Sequence, residues 1–568
     1  MPTSSTRIVG DQPSKAGGTS DESVAVEKVE AGDEGQPQQE TEQQLEYPSG
    51  PRFWVIVFAL CLVGFLISLD STVIATAVPE ISNEFDSLSD IGWYSSVYFL
   101  TMCLPQLSFM KVYSRYPIRL TYGVVMVVFL AGSALCGAAP NSQALIAGRA
   151  LAGLGAAGLY SGNNALVPFL APAPKRPFFF GLFLGAMGLG LGSGPLIGGV
   201  LTENATWRWN ASWIANILFL FYLNLPVGAF ICLVLYFSVQ IPARTGPAIP
   251  IPWQRFVQSL DLPGLIILTP AMVCLLLALQ WGGVTFSWSN GRVIALLVVF
   301  GVLMTVFIAA EVYQGGGNAM LPNRIMHQFH VLSAVWFCIC SNGTTAVLSY
   351  YLPIWFQGVK GDSPIQSGIH TLPLVITTGA ASILGGGLMA TFGRVGLWTV
   401  IGSLSAVVGA GLFTSLRPDT SLAKLAGYQI LSAVGSAAGR LCPSVALQNI
   451  LDDNDISYGF TLLTFFASMA GATSVSIGQA LFTNSLAKEL RELGIPEPDI
   501  DAALGGGVNT VAAGLPTEFQ AAVLTAMNES VVNVWRLPLV LSCLGMIGAV
   551  FIQRWSIREL RLPWGTRN

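Results

Sequence analysis

Long apolar segments alternate with short polar segments from residue 53 to residue 553. Because a bilayer core about 30 Å thick requires roughly 20 apolar residues per helix, each long segment predicts a membrane-spanning helix. The pattern therefore predicts an all-α integral membrane protein with about fourteen spans. The predicted spans lie near residues 53–77, 91–112, 119–138, 143–166, 178–201, 213–237, 262–281, 292–313, 331–356, 367–391, 396–416, 424–449, 458–483 and 534–553.

Composition agrees with this interpretation and changes it only in the N-terminal segment. Hydrophobic residues make up 52% of the chain and charged residues only 10%, whereas soluble proteins average about 25% charged residues. Residues 1–50 instead carry ten acidic and three basic residues, and they contain few large apolar side chains. Such a segment cannot bury enough surface to fold alone, so we expect a disordered acidic tail.

Basic residues in the short loops predict the orientation, because cytoplasmic loops are enriched in lysine and arginine. With the N-terminal tail inside, the inner loops contain residues such as Lys111, Arg119 and Arg324, and the tail at 556–568 adds more. Both termini are therefore predicted to be cytoplasmic, which requires an even number of spans. The sequons at Asn204, Asn210 and Asn528 then lie outside, where each is a candidate N-glycosylation site.

Charged residues inside predicted spans are costly, so each of them is a functional candidate. Asp70 lies in the outer half of the first span and Arg149 in the fourth. Asp70 is either a carboxylate that caps a bend at a hydrated rim or one that takes up and releases protons. Arg149 is either a structural partner for carbonyl groups or a fixed positive charge that acts on a neighbouring acid. Arg440, in the twelfth span, has no acidic residue nearby in the same span.

The fifth span is unusually rich in glycine. Residues 181–201 contain eight glycines, one proline and no charged residue. Their spacing of three or four residues places many of them on common helix faces, where missing side chains let neighbouring backbones approach closely. Within it stands the pattern Gly190-x-x-x-Gly194-Pro195-x-x-Gly198-Gly199. Dense packing explains single glycines, but the complete pattern indicates a dedicated role in packing or gating.

This pattern closely resembles the fifth-span motif of proton-coupled antiporters of the major facilitator superfamily. The segment Leu69–Pro79 resembles the first-span signature of the fourteen-span drug:proton antiporters, and Gly148–Gly158 resembles their fourth-span motif, which is associated with proton transfer. Residues 206–209 and 221–228 are similar to fungal members. The resemblance implies the major facilitator fold, with two six-helix bundles at 51–240 and 320–555, two extra central spans at 255–315, and an outer loop at 484–533 in the second bundle.

The chain also departs from the family pattern at three places. Residues 109–119, between the second and third spans, keep basic residues but lack the glycines and the aspartate usual in this loop. Residues 210–220 are additional sequence before the sixth span, and Arg440 stands where the family leads us to expect an uncharged residue. We therefore do not expect the usual inner-gate ion pair from the 109–119 loop, and the role of Arg440 stays open.

Several aromatic and polar residues within spans are candidates for lining a central cavity. The leading candidates are Trp93, Tyr98, Gln106, Asn163 and Tyr351. A cavity with aromatic walls and few fixed charges would suit bulky, largely apolar organic molecules. Each of these residues could equally be a packing residue or an interfacial anchor, and the sequence leaves both interpretations open.

Together these features predict a monomeric secondary transporter in the cell membrane that couples inward proton movement to export of an organic molecule. By resemblance, the cargo is a toxin, another secondary metabolite or a drug. An importer of a nutrient or iron chelate on the same fold is the alternative. An enzyme is disfavoured, since the chain has only three histidines and no HExxH motif. No Walker A loop is present, so ATP drive is also disfavoured, and we expect no cofactor, metal or nucleic acid.

Overall fold

The structure is a computed structural model. It describes residues 50–85, 91–204, 214–238, 260–283, 286–314, 319–321, 323–496, 500 and 520–559. The predicted disordered tail, the sequon at Asn210 and most of the additional segment at 210–220 lie outside these residues or in helical positions without described side chains.

The described chain is almost entirely helical, as the apolar pattern predicts. Its helices are α1 (Gly50–Glu84), α2 (Ile91–Cys103), α3 (Gln106–Arg115), α4 (Ile118–Gly137), α5 (Ser142–Leu170), α6 (Arg176–Asn204), α7 (Ile214–Ser238), α8 (Leu262–Trp281), α9 (Gly291–Gln314), α10 (Asn323–Met326), α11 (Phe329–Val359), α12 (Pro364–Phe392), α13 (Val395–Phe413), α14 (Leu422–Ile450), α15 (Asp453–Glu492) and α16 (Gln520–Glu559).

Twelve helices in the described part are long and apolar enough to cross a membrane. The predicted count of fourteen is therefore not confirmed. One difference is the predicted span 91–112, which is divided into α2 and α3 at Leu104 and Pro105. Proline cannot donate a backbone hydrogen bond, which explains an interruption at this point. The other difference is α7, whose described apolar stretch, Asn224–Ser238, is shorter than a full span.

The helices form two bundles that meet along several helix pairs. We call α1–α7 the N-terminal bundle and α11–α16 the C-terminal bundle. Between the bundles, α6 packs along α12, and α15 packs against α2, α3 and α5. The contact is largely apolar, and the rings of Phe180 and Phe460 approach with centroids 4.4 Å apart in an edge-to-face arrangement. We use the name basic end for the end of the two bundles where Lys111 and Arg324 lie; Glu311 lies at the same end.

The glycines of α6 let it contact helices of both bundles, as their spacing predicts. A Cβ atom at Gly181 would collide with the carbonyl oxygen of Ser382 on α12, and one at Gly190 would collide with the carbonyl oxygen of Phe65 on α1. Glycines on two faces of α6 thus pack against two different helices. Gly194 is also buried in α6, whereas side-chain contacts of Pro195, Gly198 and Gly199 lie outside the described residues.

Helices α8 and α9 connect the two bundles and pack on each other. Asp261 caps α8, because its carboxylate accepts a hydrogen bond from the Gly264 amide at 3.1 Å. The same helix packs against α15 and α2, so it lies beside the contact between the bundles. Helix α9 is mostly exposed, and residues such as Ile294, Val298 and Val302 point away from the protein. A helix with this outer surface suits contact with lipid.

The structure shortens the predicted outer loop at 484–533 and changes the interpretation of one sequon. Helix α15 continues to Glu492 and α16 begins at Gln520.

Asn528 is therefore inside α16, where it is only 6% exposed. Its side chain accepts a hydrogen bond from the Trp355 indole at 2.9 Å and donates one to the Leu416 carbonyl at 3.2 Å. These contacts leave no room for a glycan, so the structure argues against the prediction of N-glycosylation at Asn528.

The glycine contacts predict a difference between two glycine-to-leucine substitutions. We expect Gly190→Leu to destabilise the protein by about 1–3 kcal/mol, because the new side chain has to push α1 away from α6. Gly301→Leu is the control, since a Cβ at Gly301 on α9 meets nothing within 4 Å. Thermal unfolding of both variants in detergent, followed by size-exclusion chromatography, measures the difference. Equal melting temperatures for the two variants would contradict the proposed α1–α6 contact.

Candidate functional site

The two candidate charges, Asp70 and Arg149, form an ion pair inside the N-terminal bundle. The Arg149 Nη1 atom donates to the Asp70 Oδ2 atom at 2.7 Å, and the two side chains are 0% and 1% exposed. The same nitrogen lies 3.2 Å from the Asp70 backbone carbonyl, and Nε donates to the Tyr94 carbonyl at 3.1 Å. The pair joins α1, α2 and α5 in the interior of the bundle, away from the lipid-facing surface.

Three further side chains complete the site around this ion pair. Asn224 on α7 donates its amide to Asp70 Oδ1 and to Ser133 Oγ on α4, each at 3.1 Å. The guanidinium carbon of Arg149 lies 4.2 Å from the centroid of the Tyr98 ring, and the Tyr98 hydroxyl donates to the Ile67 carbonyl at 3.3 Å. Both carboxylate oxygens of Asp70 therefore accept a hydrogen bond, and the guanidinium of Arg149 lies against the face of the Tyr98 ring.

The two charges of this arrangement depend on each other. Removing two opposite charges from water costs several kcal/mol per ion, and close contact with good hydrogen bonds offsets that cost. A proton on Asp70 would remove the attraction and leave Arg149 as an unbalanced positive charge. Each of the two buried charges is therefore stabilised by the presence of the other.

The predicted cavity residues are mostly held by neighbouring protein groups. Tyr98 and Asn163 are buried within the N-terminal bundle, and Asn163 accepts a hydrogen bond from the Tyr122 hydroxyl at 2.8 Å. Tyr351 donates to Gln479 at 3.1 Å within the C-terminal bundle. These contacts favour the packing interpretation for all three residues.

Gln106 and Trp93 differ from those residues. Trp93 is only partly buried. Gln106 lies between the bundles, where its amide nitrogen is 3.5 Å from the Ser468 hydroxyl. Its carbonyl oxygen is enclosed and has no hydrogen-bond partner among the described residues. Gln106 is thus the predicted cavity residue with the clearest position between the two bundles.

A second polar group lies at the basic end, where the N-terminal bundle, the α8–α9 pair and the C-terminal bundle meet. Lys111 Nζ donates to the Ala319 carbonyl at 2.9 Å, and it also lies close enough to two carboxyl groups for electrostatic interaction. One carboxyl group belongs to Asp261 and the other to Glu311. We call these residues, together with the backbone of 319–321 and Tyr458, the basic-end network.

The two acidic side chains of this network bind the segment before α10. The Met320 amide donates to Asp261 at 3.0 Å, and the Leu321 amide donates to Glu311 at 2.7 Å. Burial would raise the pKa of Asp261. Hydrogen bonds from the Glu311 side chain and from backbone amides outweigh burial, and they hold the pKa of Asp261 below its usual range. On α15, the Tyr458 hydroxyl donates to the Met320 carbonyl, which ties the C-terminal bundle to the network.

Sequence reasoning identified the two charges and Tyr98, but it missed Asn224 and Ser133. Asp70 and Arg149 are recognisable because charges are rare in apolar segments, whereas Asn224, Ser133 and Tyr94 are ordinary polar residues in such segments. Asn224 does belong to the 221–228 stretch that resembles fungal antiporters, which was the available signal. Among the described residues, no group of three or more histidine, cysteine or acidic side chains could hold a metal ion.

A helical membrane fold with two bundles, and with a buried acid–base pair in the first, defines a class of transport proteins. Residues 60–475 match the Major Facilitator Superfamily, so the chain belongs to that family. The chain is therefore a multi-pass membrane transporter and not an enzyme.

Two similar proteins are efflux pumps of fungi. The chain is 36% identical over 513 residues to the efflux pump aflT of Aspergillus parasiticus, which covers 90% of this chain and 98% of the relative. It is 37% identical to the efflux pump roqT of Penicillium rubens, with 89% and 92% covered. A solved structure of the proton:xylose symporter XylE has the same fold, with a TM-score of 0.55 at 14% identity, covering 89% of this chain and 96% of that one.

The ion pair predicts an asymmetry between single and double substitutions. We expect Arg149→Met alone to cost about 3–5 kcal/mol of stability, because it leaves Asp70 buried without its counter-charge. Adding Asp70→Leu should restore much of that loss, since no uncompensated charge remains. Thermal unfolding of the single and double variants measures the recovery, with Arg394→Met at an exposed position as control. A double variant less stable than Arg149→Met would contradict the pairing.

Proposed function

We propose that the protein is a proton-coupled efflux transporter that exports small organic molecules by alternating access. The buried Asp70–Arg149 ion pair carries this proposal, because it joins the first- and fourth-span motifs in one hydrogen-bonded site. The names of the fungal relatives support the direction of transport. By resemblance to fungal antiporters, the cargo is a secondary metabolite, a toxin or a xenobiotic drug.

In this proposal Asp70 is the proton carrier and Arg149 is its regulator. With the carboxylate charged, Arg149 and Asn224 hold α1, α5 and α7 together at one point. Protonation weakens that link, and the helices become free to shift relative to α6. The glycine contacts of α6 with α1 and α12 keep the two bundles closely packed, which limits proton leakage in the absence of cargo.

The proposed topology has fourteen spans in the cell membrane. In it, α2 and α3 together form one interrupted span and α7 forms another. The basic end then faces the cytoplasm, because it carries residues such as Lys111 and Arg324. Both termini are cytoplasmic in this topology, and the protein acts as a monomer.

The basic-end network is the proposed inner closure. The 109–119 loop lacks the aspartate of its family, and here Lys111 instead lies beside Asp261 and Glu311 from the α8–α9 pair. Lys111 belongs to the N-terminal bundle, and Tyr458 belongs to the C-terminal bundle. Both bind the backbone of residues 319–320, so opening the basic end requires at least one of these links to break.

The proton-coupling proposal is tested by Asp70→Asn. We expect the variant to lose pH-gradient-driven transport of rhodamine 123 in membrane vesicles, because an amide cannot exchange a proton. It should retain binding of the dye and normal amounts in the membrane. Arg394→Gln, at an exposed position, is the control and should transport normally. Full gradient-driven transport by Asp70→Asn would remove Asp70 from the coupling mechanism, and inward dye accumulation by the native protein would contradict efflux.

The closure proposal is tested by Tyr458→Phe, which removes one hydroxyl. A single hydrogen bond contributes about 1 kcal/mol, so we expect roughly fivefold faster opening of the basic end. The reporter is Cys103, which is 5% exposed and lies against the Phe465 carbonyl between the bundles. Its alkylation by N-ethylmaleimide can be followed by mass spectrometry. Tyr350→Phe, at an exposed tyrosine, is the matched control. Equal alkylation of Cys103 in both variants would refute the closure.

A further inference from the structure

Arg440 lies on α14 (Leu422–Ile450), a short distance beyond the middle of the helix in the direction of the basic end. The neighbouring Gly439 packs against Ser341 of α11, and the following Leu441 belongs to the apolar cluster shared by both bundles. The Arg440 side chain interacts electrostatically with Tyr160 on α5 and with Cys338 on α11. Helix α14 of the C-terminal bundle packs against α6 of the N-terminal bundle, and α5 also belongs to the N-terminal bundle, so Arg440 stands where the two bundles face each other.

The positive charge of Arg440 is not balanced by the protein in the part that the structure describes. No carboxylate there forms an ion pair with it, in contrast to Arg149, which pairs with Asp70, and Arg324, which pairs with Asp455. Its Nε atom is enclosed without a hydrogen-bond partner among the described residues. The two groups that do interact with it, a phenol and a thiol, are neutral in their ordinary states.

An unbalanced guanidinium at membrane depth is costly, so it persists where something outside the protein can offset the charge. Water can do this in part, and an anion can do it fully. Guanidinium is planar and donates two parallel hydrogen bonds to a carboxylate, and it can also donate to the single charged oxygen of a phenolate, which makes arginine a good partner for organic acids. The position of Arg440 between the bundles is one that becomes accessible when alternating access separates them.

The surroundings fit an organic anion better than an inorganic one. The Tyr160 hydroxyl donates to the Met187 sulfur at 3.0 Å, and its ring packs against Phe183 with centroids 5.9 Å apart. Asn342 lies one turn from Cys338 and donates to the Cys338 carbonyl at 2.9 Å. Tyr160 and Cys338, the two side chains that interact with Arg440, thus have an aromatic ring, a thioether sulfur and an amide as their own neighbours, which suits a flat apolar molecule with a single acidic group.

We infer that Arg440, together with Tyr160, forms an anion-recognition site for cargo, and that the transported molecules include organic acids with a carboxylate or acidic phenol. This inference rests on the proposed transport function, because it assigns the substrate class of the same protein. Arg440 contacts the acidic group of the cargo, and the Tyr160 ring packs on its apolar part.

The test compares two dyes that share a xanthene ring system but differ in charge. Fluorescein carries a carboxylate and an acidic phenol, whereas rhodamine 123 is an esterified cation. We expect Arg440→Gln to weaken fluorescein binding by about tenfold or more, which is the effect of losing a charged hydrogen-bonded contact. Rhodamine 123 should bind equally well or more tightly. Fluorescence anisotropy of the purified protein measures both, and Arg394→Gln is the control that should change neither affinity.

Three results would overturn this inference. They are absence of fluorescein binding by the native protein, an unchanged fluorescein affinity in Arg440→Gln, and an equal loss for both dyes. Thermal unfolding identifies a variant that does not fold, and in that case Arg440→Lys is used. A lysine keeps the charge but loses the two-point contact, so it should weaken fluorescein binding by about threefold and leave rhodamine 123 unchanged.

The inference and the proposed function fail in different ways. If native vesicles drive rhodamine 123 with a pH gradient while Arg440→Gln leaves fluorescein affinity unchanged, only the anion site is wrong. If fluorescein binds through Arg440 but neither dye moves with a pH gradient, proton-coupled transport is wrong and the anion site stands.

Discussion

The ion pair of Asp70 and Arg149 is the main electrostatic constraint in the N-terminal bundle, because neither buried charge can be removed alone without a large cost. It lies among α1, α2, α4, α5 and α7, and side chains or carbonyl groups from all five helices participate in it or bind a residue that does. In a low-dielectric interior such a pair is stabilising only while both charges and their hydrogen bonds are in place. A change in the charge of Asp70 would therefore alter the contacts of several helices at once.

Close helix packing is the second constraint, and it acts between the bundles. Helix α6 contacts α1 at Gly190, and it contacts α12 at Gly181 and Gly192. Without a hydrophobic driving force between helices in lipid, backbone proximity of this kind is a principal source of helix association. The combination places the ion pair within one bundle and a glycine-lined contact beside it, so that a rearrangement of α1 reaches α6 directly.

The sequence predicts the helices well because a span needs only length and apolarity. Helix α8 forms although it contains Pro263 and Pro270, and Pro263 lies in its first turn. The sequence also identifies Asp70 and Arg149, since isolated charges stand out in apolar segments. It cannot predict that Asn224 reaches Asp70, because the two residues are 154 positions apart. Nor does it predict the basic-end network, whose ligands are largely backbone amides and carbonyls, or the burial of Asn528 by Trp355.

The interruption between α2 and α3 has a mechanical consequence. Helix α2 carries Tyr94 and Tyr98, which hold Arg149, and α3 carries Lys111, which holds the segment before α10. Pro105 lacks an amide hydrogen, so the two pieces are joined without a continuous ladder of hydrogen bonds. An interrupted helix resists bending less than an unbroken one, so the ion pair on α2 and the basic-end network on α3 are connected through a compliant joint.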